Sequence, residues 1–345
     1  MSAQTPVLAL DGLAVEIADA PVLGGVSMAI AVGEALGLVG ESGCGKSITA
    51  LAILGLLPRG ARVSAGSVRL RGEELLGAPE EALCKVRGGS VGMIFQEPGA
   101  CLDPVMRVGR QIGESLRLHR GLRGAAQHAA LRDLLVEVGL SDTDRVARAY
   151  PHELSGGMQQ RAMIAMALAG EPVLLIADEP TTALDARIAS QILDLLDRLR
   201  RERGLALLLI SHDLAVISGR CDRVQVMYAG RVVESAPAAQ VFDEARHPYT
   251  AALIAASPGL AGVAPKSPLR DIPGQLPPPG GGGHGCAFAE RCALARPACA
   301  VRIPAWTAVS AARPPEGAQH RSPQGGAYPI SADHAVRCLQ FESGW

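Results

Sequence analysis

The chain has 345 residues, 48% of them hydrophobic, and its 33 Lys and Arg against 34 Asp and Glu give a formal net charge of −1. This length favours one large domain with an appendage or two domains, and the hydrophobic content excludes a disordered chain. The near-zero charge gives no electrostatic reason to expect nucleic-acid binding. The sequence has neither a signal-peptide pattern at its start nor a run of roughly 18 apolar residues, so we expect a soluble chain.

The predicted elements begin with short strands, for which we expect an N-terminal antiparallel β subdomain, and end in an alternation of strands and helices. In chain order, strands are predicted at Val7–Leu10, Leu13–Ile17, Val26–Ile30, Ala35–Val39, Val68–Leu70, Val91–Phe95, Val173–Ala177 and Leu205–Ile210. Helical periodicity is found in Ser47–Leu57, Val108–Leu118, Ala125–Val138, Met158–Leu168 and Ala189–Arg201. Apolar strands that alternate with helices predict an α/β fold with a mostly parallel sheet covered on both faces. The helix-rich middle predicts an inserted helical subdomain over about residues 97–170.

A glycine-rich loop follows the predicted strand Ala35–Val39 and precedes a predicted helix. It fits the pattern G-x-x-x-x-G-K-[ST]. The glycines allow successive backbone N–H groups to point at phosphate oxygens, and the helix adds the positive end of its dipole. Lys46 is predicted to bridge the β- and γ-phosphates, and the Ser47 hydroxyl to ligate Mg²⁺. The predicted nucleotide-binding residues here are Gly40, Glu41, Ser42, Gly43, Cys44, Gly45, Lys46, Ser47 and Ile48.

A second stretch, Val173–Glu179, reads as an apolar strand that ends in two carboxylates. Asp178, at the carboxyl end of the strand, is placed for the Mg²⁺ shell, since ligands bind at that edge of α/β sheets. Glu179 would face the γ-phosphate and polarise the attacking water. An acidic pair at a strand end is most often a solvated turn when it occurs alone. Together with the phosphate loop it predicts hydrolysis of a nucleoside triphosphate.

A third motif lies just upstream of that acidic strand, in the order Leu154-Ser155-Gly156-Gly157-Met158-Gln159-Gln160-Arg161. Ser155 and the N–H groups of Gly156 and Gly157 open a helix, which makes a second anion-binding N-terminus. This stretch resembles the ABC signature. The sequence is therefore similar to the ATP-binding subunits of ABC transporters, over roughly residues 7–250.

That resemblance gives further residues a role. Gln96 matches the Q-loop glutamine, Asp185 in Ala183-Leu184-Asp185 matches the D-loop aspartate, and His212 matches the switch histidine at the γ-phosphate. The resemblance implies that the catalytic residues are Glu179, His212, Gln96 and Lys46. It implies that Mg²⁺ is held by Ser47, Gln96 and Asp178. It also implies a head-to-tail dimer in which the phosphate loop of one subunit and Ser155 of another clamp the same ATP.

The family also implies partners: a second ATPase subunit, two transmembrane permease subunits and, indirectly, a solute-binding protein. In this interpretation the chain is a peripheral subunit on the cytoplasmic face of the bacterial inner membrane. Stretches such as Gly92–Pro98 and Arg246–Thr250 resemble the importers of dipeptides, oligopeptides and nickel. Within that branch the chain looks like the "D" subunit, which pairs with a different, "F"-type ATPase, and a homodimer stays open. We predict a peptide importer ATPase, with importers of nickel, opines or other small solutes and a non-transport ABC ATPase as alternatives.

From residue 257 onward the composition shifts to proline and glycine. This shift divides the chain into a nucleotide-binding domain, 1–256, and a loop-rich extension, 257–345. Four cysteines fall in the extension: Cys286, Cys292, Cys299 and Cys338. No two of them form a C-x₂-C pair. Their spacing is therefore equally compatible with a metal site and with free buried thiols. The family resemblance implies a cysteine quartet that holds a [4Fe–4S] cluster in some relatives, with zinc as the alternative. Because the extension is remote in sequence from the ATP motifs, we expect a structural or docking role.

One expected element is missing from the pattern. ABC ATPases usually stack adenine on an aromatic residue a short distance before the phosphate loop, and this chain has no Phe, Tyr or Trp before Phe95. Ile17 or an aliphatic neighbour is predicted to cover the base instead. Stacking on an aromatic ring contributes ~1–3 kcal/mol per base in nucleic-acid binders. We therefore expect weaker discrimination for adenine, with the phosphate contacts supplying most of the affinity.

Overall fold

The structure is a computed structural model that describes residues 5–182, 184–257, 260, 271–281, 284–309 and 334–342. These residues group into two compact units, each assembled from separate stretches of chain. The first unit holds the described residues among 1–7, 31–34 and 77–209, and the second holds those among 8–30, 35–76 and 210–345. The predicted boundary at residue 257 and the helical subdomain at 97–170 stay predictions. Ala183 of the predicted D-loop lies outside the described residues.

The predicted strands are present, but those ending at Ile30 and Leu70 begin six and seven residues earlier than predicted. The short strand Glu73–Glu74 and all strands from Arg223 onward were not predicted. The strands are β1 (Leu8–Ile17), β2 (Ala20–Ile30), β3 (Ala35–Val39), β4 (Ala61–Leu70), β5 (Glu73–Glu74), β6 (Val91–Ile94), β7 (Leu174–Asp178), β8 (Ala206–Ser211), β9 (Arg223–Tyr228), β10 (Arg231–Pro237), β11 (Thr307–Val309) and β12 (His334–Val336). Two strands were predicted where β1 runs without a break. The register of β1 shifts between Leu10 and Leu13, around Gly12 with φ 59°, so the glycine makes a bulge and not a turn.

The helices follow the predicted periodic segments, and several short ones were not predicted. They are α1 (Lys46–Ile53), α2 (Glu80–Val86), α3 (Pro98–Cys101), α4 (Val108–Arg120), α5 (Gly124–Glu137), α6 (Thr143–Arg148), α7 (Gly156–Leu168), α8 (Ala186–Arg203), α9 (Leu214–Ile217), α10 (Ala238–Asp243), α11 (Pro248–Ala256) and α12 (Pro297–Val301). Within the described ranges, no helix is long and apolar enough to cross a membrane.

The second unit contains two groups of strands. An antiparallel sheet has the order β2-β1-β4-β5, which confirms the predicted N-terminal antiparallel subdomain. In the other group, β3 and β9 are parallel, β9 and β10 are antiparallel, and β12 and β11 follow beyond β10. All of β3 is buried, as expected for a strand that is covered on both faces. The glycine-rich loop leaves the carboxyl end of this strand.

The first unit contains parallel strands and most of the long helices. β6 and β7 pair in parallel, with Val91 opposite Leu174, and the strand order here is β8-β7-β6. Helix α4 packs on α5, α6 and α7. Helix α8 begins at an aspartate N-cap, Asp185, and ends at Gly204 in the left-handed conformation, with basic residues in its last turn that favour its dipole. The fold is therefore mixed α/β, as predicted.

Candidate functional site

The phosphate loop, residues 40–47, joins β3 to α1 in the second unit. Gly40 has φ 157°, and a Cβ there would lie 2.1 Å from the carbonyl oxygen of Met227. Gly45 has φ 110°, and a Cβ there would lie 2.7 Å from a methyl carbon of Leu23. Only glycine fits these two positions without moving the strands that flank the loop. The tight packing therefore fixes the curl that turns the loop's N–H groups inward.

Lys46 is buried, with 5% of its surface exposed, at the start of α1. Its ammonium group donates to the carbonyl oxygens of Gly40, at 2.8 Å, and Glu41, at 3.1 Å. The cation therefore lies across the loop and stabilises its curved path. Ser47 and Gly43 are exposed, and Ile48 is half-buried. This arrangement offers N–H groups, an exposed hydroxyl and a fixed positive charge, which are the groups that bind phosphates.

The acidic pair lies at the carboxyl end of β7 in the first unit. Asp178 is 6% exposed, and Glu179 is half-buried with φ 47°. A positive φ is uncommon for a residue other than glycine, and such strain is concentrated at functional sites. The Glu179 carboxylate accepts hydrogen bonds from the Gln96 amide, at 3.2 Å, and from the Thr182 hydroxyl, at 2.9 Å. Gln96 and Glu179, which are 83 residues apart in the chain, are thus in contact.

The signature stretch forms the start of α7 in the same unit. Ser155 is the N-cap residue, and its hydroxyl accepts from the N–H of Met158 at 3.4 Å. Ser155 and Gly156 are exposed. A Cβ at Gly157 would lie 2.8 Å from the side chain of Ile188 in α8, so the glycine permits close packing of the two helix starts. Asp185, the predicted D-loop residue, caps α8 at that point.

The predicted switch histidine, His212, directly follows β8 and belongs to the second unit with the phosphate loop. Its side chain is exposed. The next residue, Asp213, caps the short helix α9 by accepting from the N–H of Ala215 at 2.8 Å. His212 therefore lies between a buried strand and a capped helix, which restricts its backbone.

Comparisons with known proteins agree with this geometry. Residues 23–182 match the family model described as ABC transporter. Residues 233–299 match the model described as oligopeptide/dipeptide transporter, C-terminal region. A putative peptide import ATP-binding protein of Brucella ovis is 47% identical over 295 residues, which are 83% of this chain and 87% of that protein. The chain belongs to the ABC transporter family.

Solved structures of ABC proteins resemble this ATPase in fold. The protein cbiO1 of Clostridium perfringens, part of an ABC transporter complex, superposes with a TM-score of 0.62 at 28% identity, covering 70% of this chain and 92% of its own. The dimeric ATP-binding cassette MJ0796, in a post-hydrolysis state bound to ADP and Pi, has a TM-score of 0.59 at 27% identity. It covers 67% of this chain and 98% of its own. The chain is an ABC ATPase and it binds ATP.

Two functional contacts of this ABC ATPase were not predicted. The Thr182 hydroxyl donates to the Glu179 carboxylate. This contact could have been suggested from the sequence, because Thr182 lies only three residues after Glu179. Glu41 of the phosphate loop is held by Arg291, which is 250 residues away. No local pattern could have revealed that pair. The extension is remote from the ATP motifs in sequence, yet it contacts the phosphate loop.

Ile17, which is predicted to cover the base, lies among small side chains. Ile17 is half-buried at the end of β1, opposite Ala20 and Ala61. A cavity of about 90 Å³ lies beside Gly43 of the phosphate loop. It is lined by residues of β2, of the turn between β9 and β10, and of the extension, namely Pro21, Val22, Gly24, Gly43, Ala229, Gly230, Arg231, Pro277, Pro278, Pro279, Gly280, Gly285 and Ala287. None of these residues is aromatic.

The extension brings its four cysteines to one cavity. Cys286, Cys292, Cys299 and Cys338 line it together with apolar side chains that include Phe288, Leu294 and Leu339. Burial raises the pKa of Cys286 to about 11 and also raises the pKa of Cys292 and Cys338. These three thiols are therefore protonated at neutral pH. Among the described residues, no group of three or more His, Cys, Asp or Glu is arranged to hold a metal ion.

Proposed function

We propose that this ATPase powers the uptake of peptides into a bacterial cell. Two observations support the proposal. The Brucella ovis relative described above is named as a putative peptide import ATP-binding protein, and residues 233–299 match the C-terminal region of oligopeptide and dipeptide transporters. The observation that carries the motor role is the Gln96–Glu179–Thr182 group in a chain that also has a complete phosphate loop.

In the proposed reaction, the phosphate loop and Lys46 bind the β- and γ-phosphates of ATP. The Ser47 hydroxyl, the Asp178 carboxylate and the Gln96 amide are oxygen donors of the kind that Mg²⁺ prefers, and we assign them to that ion. When bound, Mg²⁺ would neutralise phosphate charge. Glu179 accepts a proton from the attacking water, and Gln96 and Thr182 hold its carboxylate for that step. His212 contacts the γ-phosphate.

A second ATPase subunit would complete the site. Ser155 and Gly156 are exposed at the start of α7, where backbone N–H groups have no partner within the helix. We assign these groups, with Gly157, to the γ-phosphate of an ATP that is held by the phosphate loop of the other subunit, and Asp185 to the interface between the two. ATP would then favour the closed pair and hydrolysis would favour its opening.

The shared site can be tested with two defective variants, Lys46→Ala and Ser155→Arg. Each should lose ATPase activity when assayed alone. In an equimolar mixture, a head-to-tail pair contains one site with an intact Lys46 and an intact Ser155, so part of the activity should return. If the native pair contains a different ATPase subunit, each variant should instead keep one active site with that subunit. Full activity at concentrations where ultracentrifugation detects only single chains would contradict the proposal.

The cargo can be tested in cells that carry the Glu179→Gln allele in place of the native gene. Uptake of a labelled dipeptide and a labelled pentapeptide should fall to the background level, while accumulation of nickel stays unchanged. The control is a Glu202→Gln allele, since Glu202 forms only an exposed ion pair on α8. A loss of nickel accumulation with normal peptide uptake would replace the peptide proposal with the nickel alternative.

We also propose that two transmembrane permeases hold this subunit on the cytoplasmic face of the inner membrane. Fractionation of cells tests this location. The chain should sediment with membranes when the permeases are present and should stay in the supernatant when their genes are deleted. Sedimentation that does not depend on the permeases would refute the proposed attachment.

For the extension, we propose that the four cysteines hold a [4Fe–4S] cluster. The donor set supports this assignment, because four thiols line one cavity whose other walls are apolar except for His247 and Gln340, and such clusters are bound by four cysteine thiolates. The cluster would act as a covalent link between loops with few apolar contacts of their own. We assign it a structural role.

Anaerobic purification tests this assignment. Iron and acid-labile sulfide should each be present at about four per chain. The variant Cys338→Ser should lose most of the iron. The variant Cys84→Ser should keep it, since Cys84 is exposed in α2. Zinc without iron would favour the zinc alternative, and the absence of both metals would overturn the assignment.

A further inference from the structure

The strongest link between the extension and the ATP motifs is an ion pair on the phosphate loop. Arg291 donates from Nη1 to one Glu41 carboxylate oxygen at 2.8 Å and from Nη2 to the other at 3.0 Å. This is a bidentate pair, the geometry in which a guanidinium binds a carboxylate most strongly. The Arg291 side chain is 6% exposed and the Glu41 side chain 24% exposed, so the pair is largely shielded from water.

The remaining donors of Arg291 are also used. Its Nε donates to the carbonyl oxygen of Pro273 at 2.8 Å, and Nη2 donates to that of Ile272 at 3.2 Å. Its Nη1 donates to the hydroxyl of Tyr228 at 3.3 Å. The guanidinium therefore ties two stretches of the extension to a core strand and to the phosphate loop. A side chain with so many partners has one position available to it.

The backbone of Glu41 is held from a second direction. Its N–H donates to the Tyr249 hydroxyl at 2.9 Å. Tyr249 is fully buried in α11, and its ring packs against Tyr228 of β9 and Phe288 of the extension, with ring centres 4.6 and 5.4 Å away. Both the main chain and the side chain of this loop residue are thus fixed by groups that follow the predicted ATP motifs in sequence.

The charge of Glu41 makes this arrangement significant for nucleotide binding. Residue 41 belongs to a loop that must accept the negative charges of triphosphate, and an unneutralised carboxylate there would repel them. Arg291 supplies the neutralising charge, and burial strengthens the interaction by lowering the local dielectric constant. Lys46 also donates to the carbonyl oxygen of Glu41, so the position of residue 41 affects the position of the lysine.

We propose that Arg291 is a positioning residue of the ATP site: it neutralises Glu41 and fixes the first turn of the phosphate loop, so that nucleotide affinity depends on the C-terminal extension. The inference rests on the assignment of the phosphate loop as the nucleotide site. It gives the extension a role in ATP binding in addition to the structural role proposed above.

The test uses the full-length protein with Mg²⁺ and ATP. The variant Arg291→Met leaves the Glu41 charge unpaired in the loop. It should raise the Kd and the KM for ATP on the order of 10-fold, the effect of losing one charge-assisted hydrogen bond, while kcat changes little. The variant Arg291→Lys keeps the charge but loses the bidentate geometry, so its affinity should fall between those of the wild type and Arg291→Met.

The double variant Glu41→Gln/Arg291→Met separates charge from simple loss of packing. It removes both charges, and we expect its Kd to return most of the way to the wild-type value. The control is Arg302→Met, which breaks an ion pair with Glu342 elsewhere in the extension and should leave the Kd unchanged. Circular dichroism melts establish whether each variant is folded. If Arg291→Met does not fold, the Kd values of Arg291→Lys and of the double variant test the inference.

Two outcomes would overturn the inference. One is an Arg291→Met variant that is folded and binds ATP as tightly as the wild type. The other is a double variant that binds ATP no better than Arg291→Met, since that would mean the arginine acts only through packing. A wild-type protein that fails to bind ATP would instead refute the assignment of the nucleotide site itself.

Discussion

The phosphate loop and the acidic end of β7 are held in place in opposite ways. Distant residues restrain several positions of the phosphate loop: Met227 and Leu23 pack on two of its glycines, and Arg291 and Tyr249 hold Glu41. Glu179 lies in a strained backbone conformation, half-buried, and hydrogen bonds from Gln96 and Thr182 hold its carboxylate. The glycines and Glu41 of the first region are therefore held by packing and an ion pair, whereas the Glu179 carboxylate of the second is held by hydrogen bonds.

This difference corresponds to the two tasks of an ATPase. Binding phosphates requires N–H groups that are already in position, because reorganising them would reduce affinity. Activating water requires one carboxylate with the correct charge and orientation. Substitutions near the phosphate loop should therefore change affinity and stability, whereas substitutions near Glu179 should change the rate of hydrolysis.

The largest effect is expected at Glu179. The variant Glu179→Gln keeps the shape of the side chain and an oxygen for Gln96 and Thr182, but it removes the general base. We expect kcat for ATP hydrolysis to fall on the order of 100-fold or more, with little change in the Kd for ATP. Steady-state kinetics and equilibrium binding of ATP to the same preparation measure the two quantities.

The matched control for this experiment is Glu202→Gln, which removes a carboxylate from an exposed pair with Arg198 on α8. Its kcat should equal that of the wild type. Unchanged hydrolysis by Glu179→Gln would show that another group accepts the proton. It would also remove the contrast between the two regions, since Glu179 would then have no catalytic task.

The next largest effect is expected at Glu234, which joins the extension to the core beside α11. Glu234 is fully buried and accepts from the N–H groups of Arg246, at 2.7 Å, and His247, at 2.9 Å, and its carboxylate contacts His334 of β12. The variant Glu234→Gln should lower the free energy of unfolding by about 3 kcal/mol, as when one partner of a buried pair is removed. Urea denaturation at pH 7 measures this loss, and Glu244→Gln, in an exposed pair with Arg246, is the control.

The stability difference between the wild type and Glu234→Gln should also depend on pH in a predictable direction. Burial alone would raise the pKa of Glu234, but the hydrogen bonds from His334 and from the backbone of Arg246 and His247 outweigh it and lower the pKa. Its stabilising effect is therefore complete above the unfolded pKa of about 4.3 and is lost as the pH falls through the lower folded value. The difference between wild type and Glu234→Gln should shrink below about pH 4. A difference that grows on acidification would contradict this assignment.

A smaller effect is expected at Thr182. The variant Thr182→Val keeps the shape of the side chain and removes the hydroxyl that donates to Glu179. We expect kcat to fall about 5-fold, the value of one hydrogen bond of about 1 kcal/mol, with an unchanged KM. Thr181→Val changes the preceding residue in the same way and is the control. An unchanged kcat in Thr182→Val would mean that Gln96 alone orients the carboxylate.

The difference between local motifs and contacts of distant residues also explains what could be predicted from the sequence. The strands β3 and β7 and the motifs at their ends are continuous in the chain, so their pattern and their turn residues reveal them. Gln96 and Glu179 could each be singled out in the sequence because both match motifs of the family. The partners of Glu41 could not, since the pairs with Arg291 and Tyr249 depend on how the extension folds back, and neither residue lies in a recognisable ATP motif. The hairpin of β9 and β10 was also missed, because polar residues interrupt both of its strands, whereas β8 is apolar up to its last residue.

The smallest effect concerns the base of the nucleotide. Because no aromatic residue precedes Phe95, we expect the base to gain no stacking energy of ~1–3 kcal/mol from that part of the chain. We expect the Kd values for ATP and GTP to agree within about 5-fold, because the two share all phosphate contacts. The variant Ile17→Tyr should tighten both, since every base presents a π face. Competition of both nucleotides against one fluorescent analogue measures the ratio. A strong preference of the wild type for ATP would show that other groups recognise adenine, and the phosphate loop would then no longer supply most of the affinity.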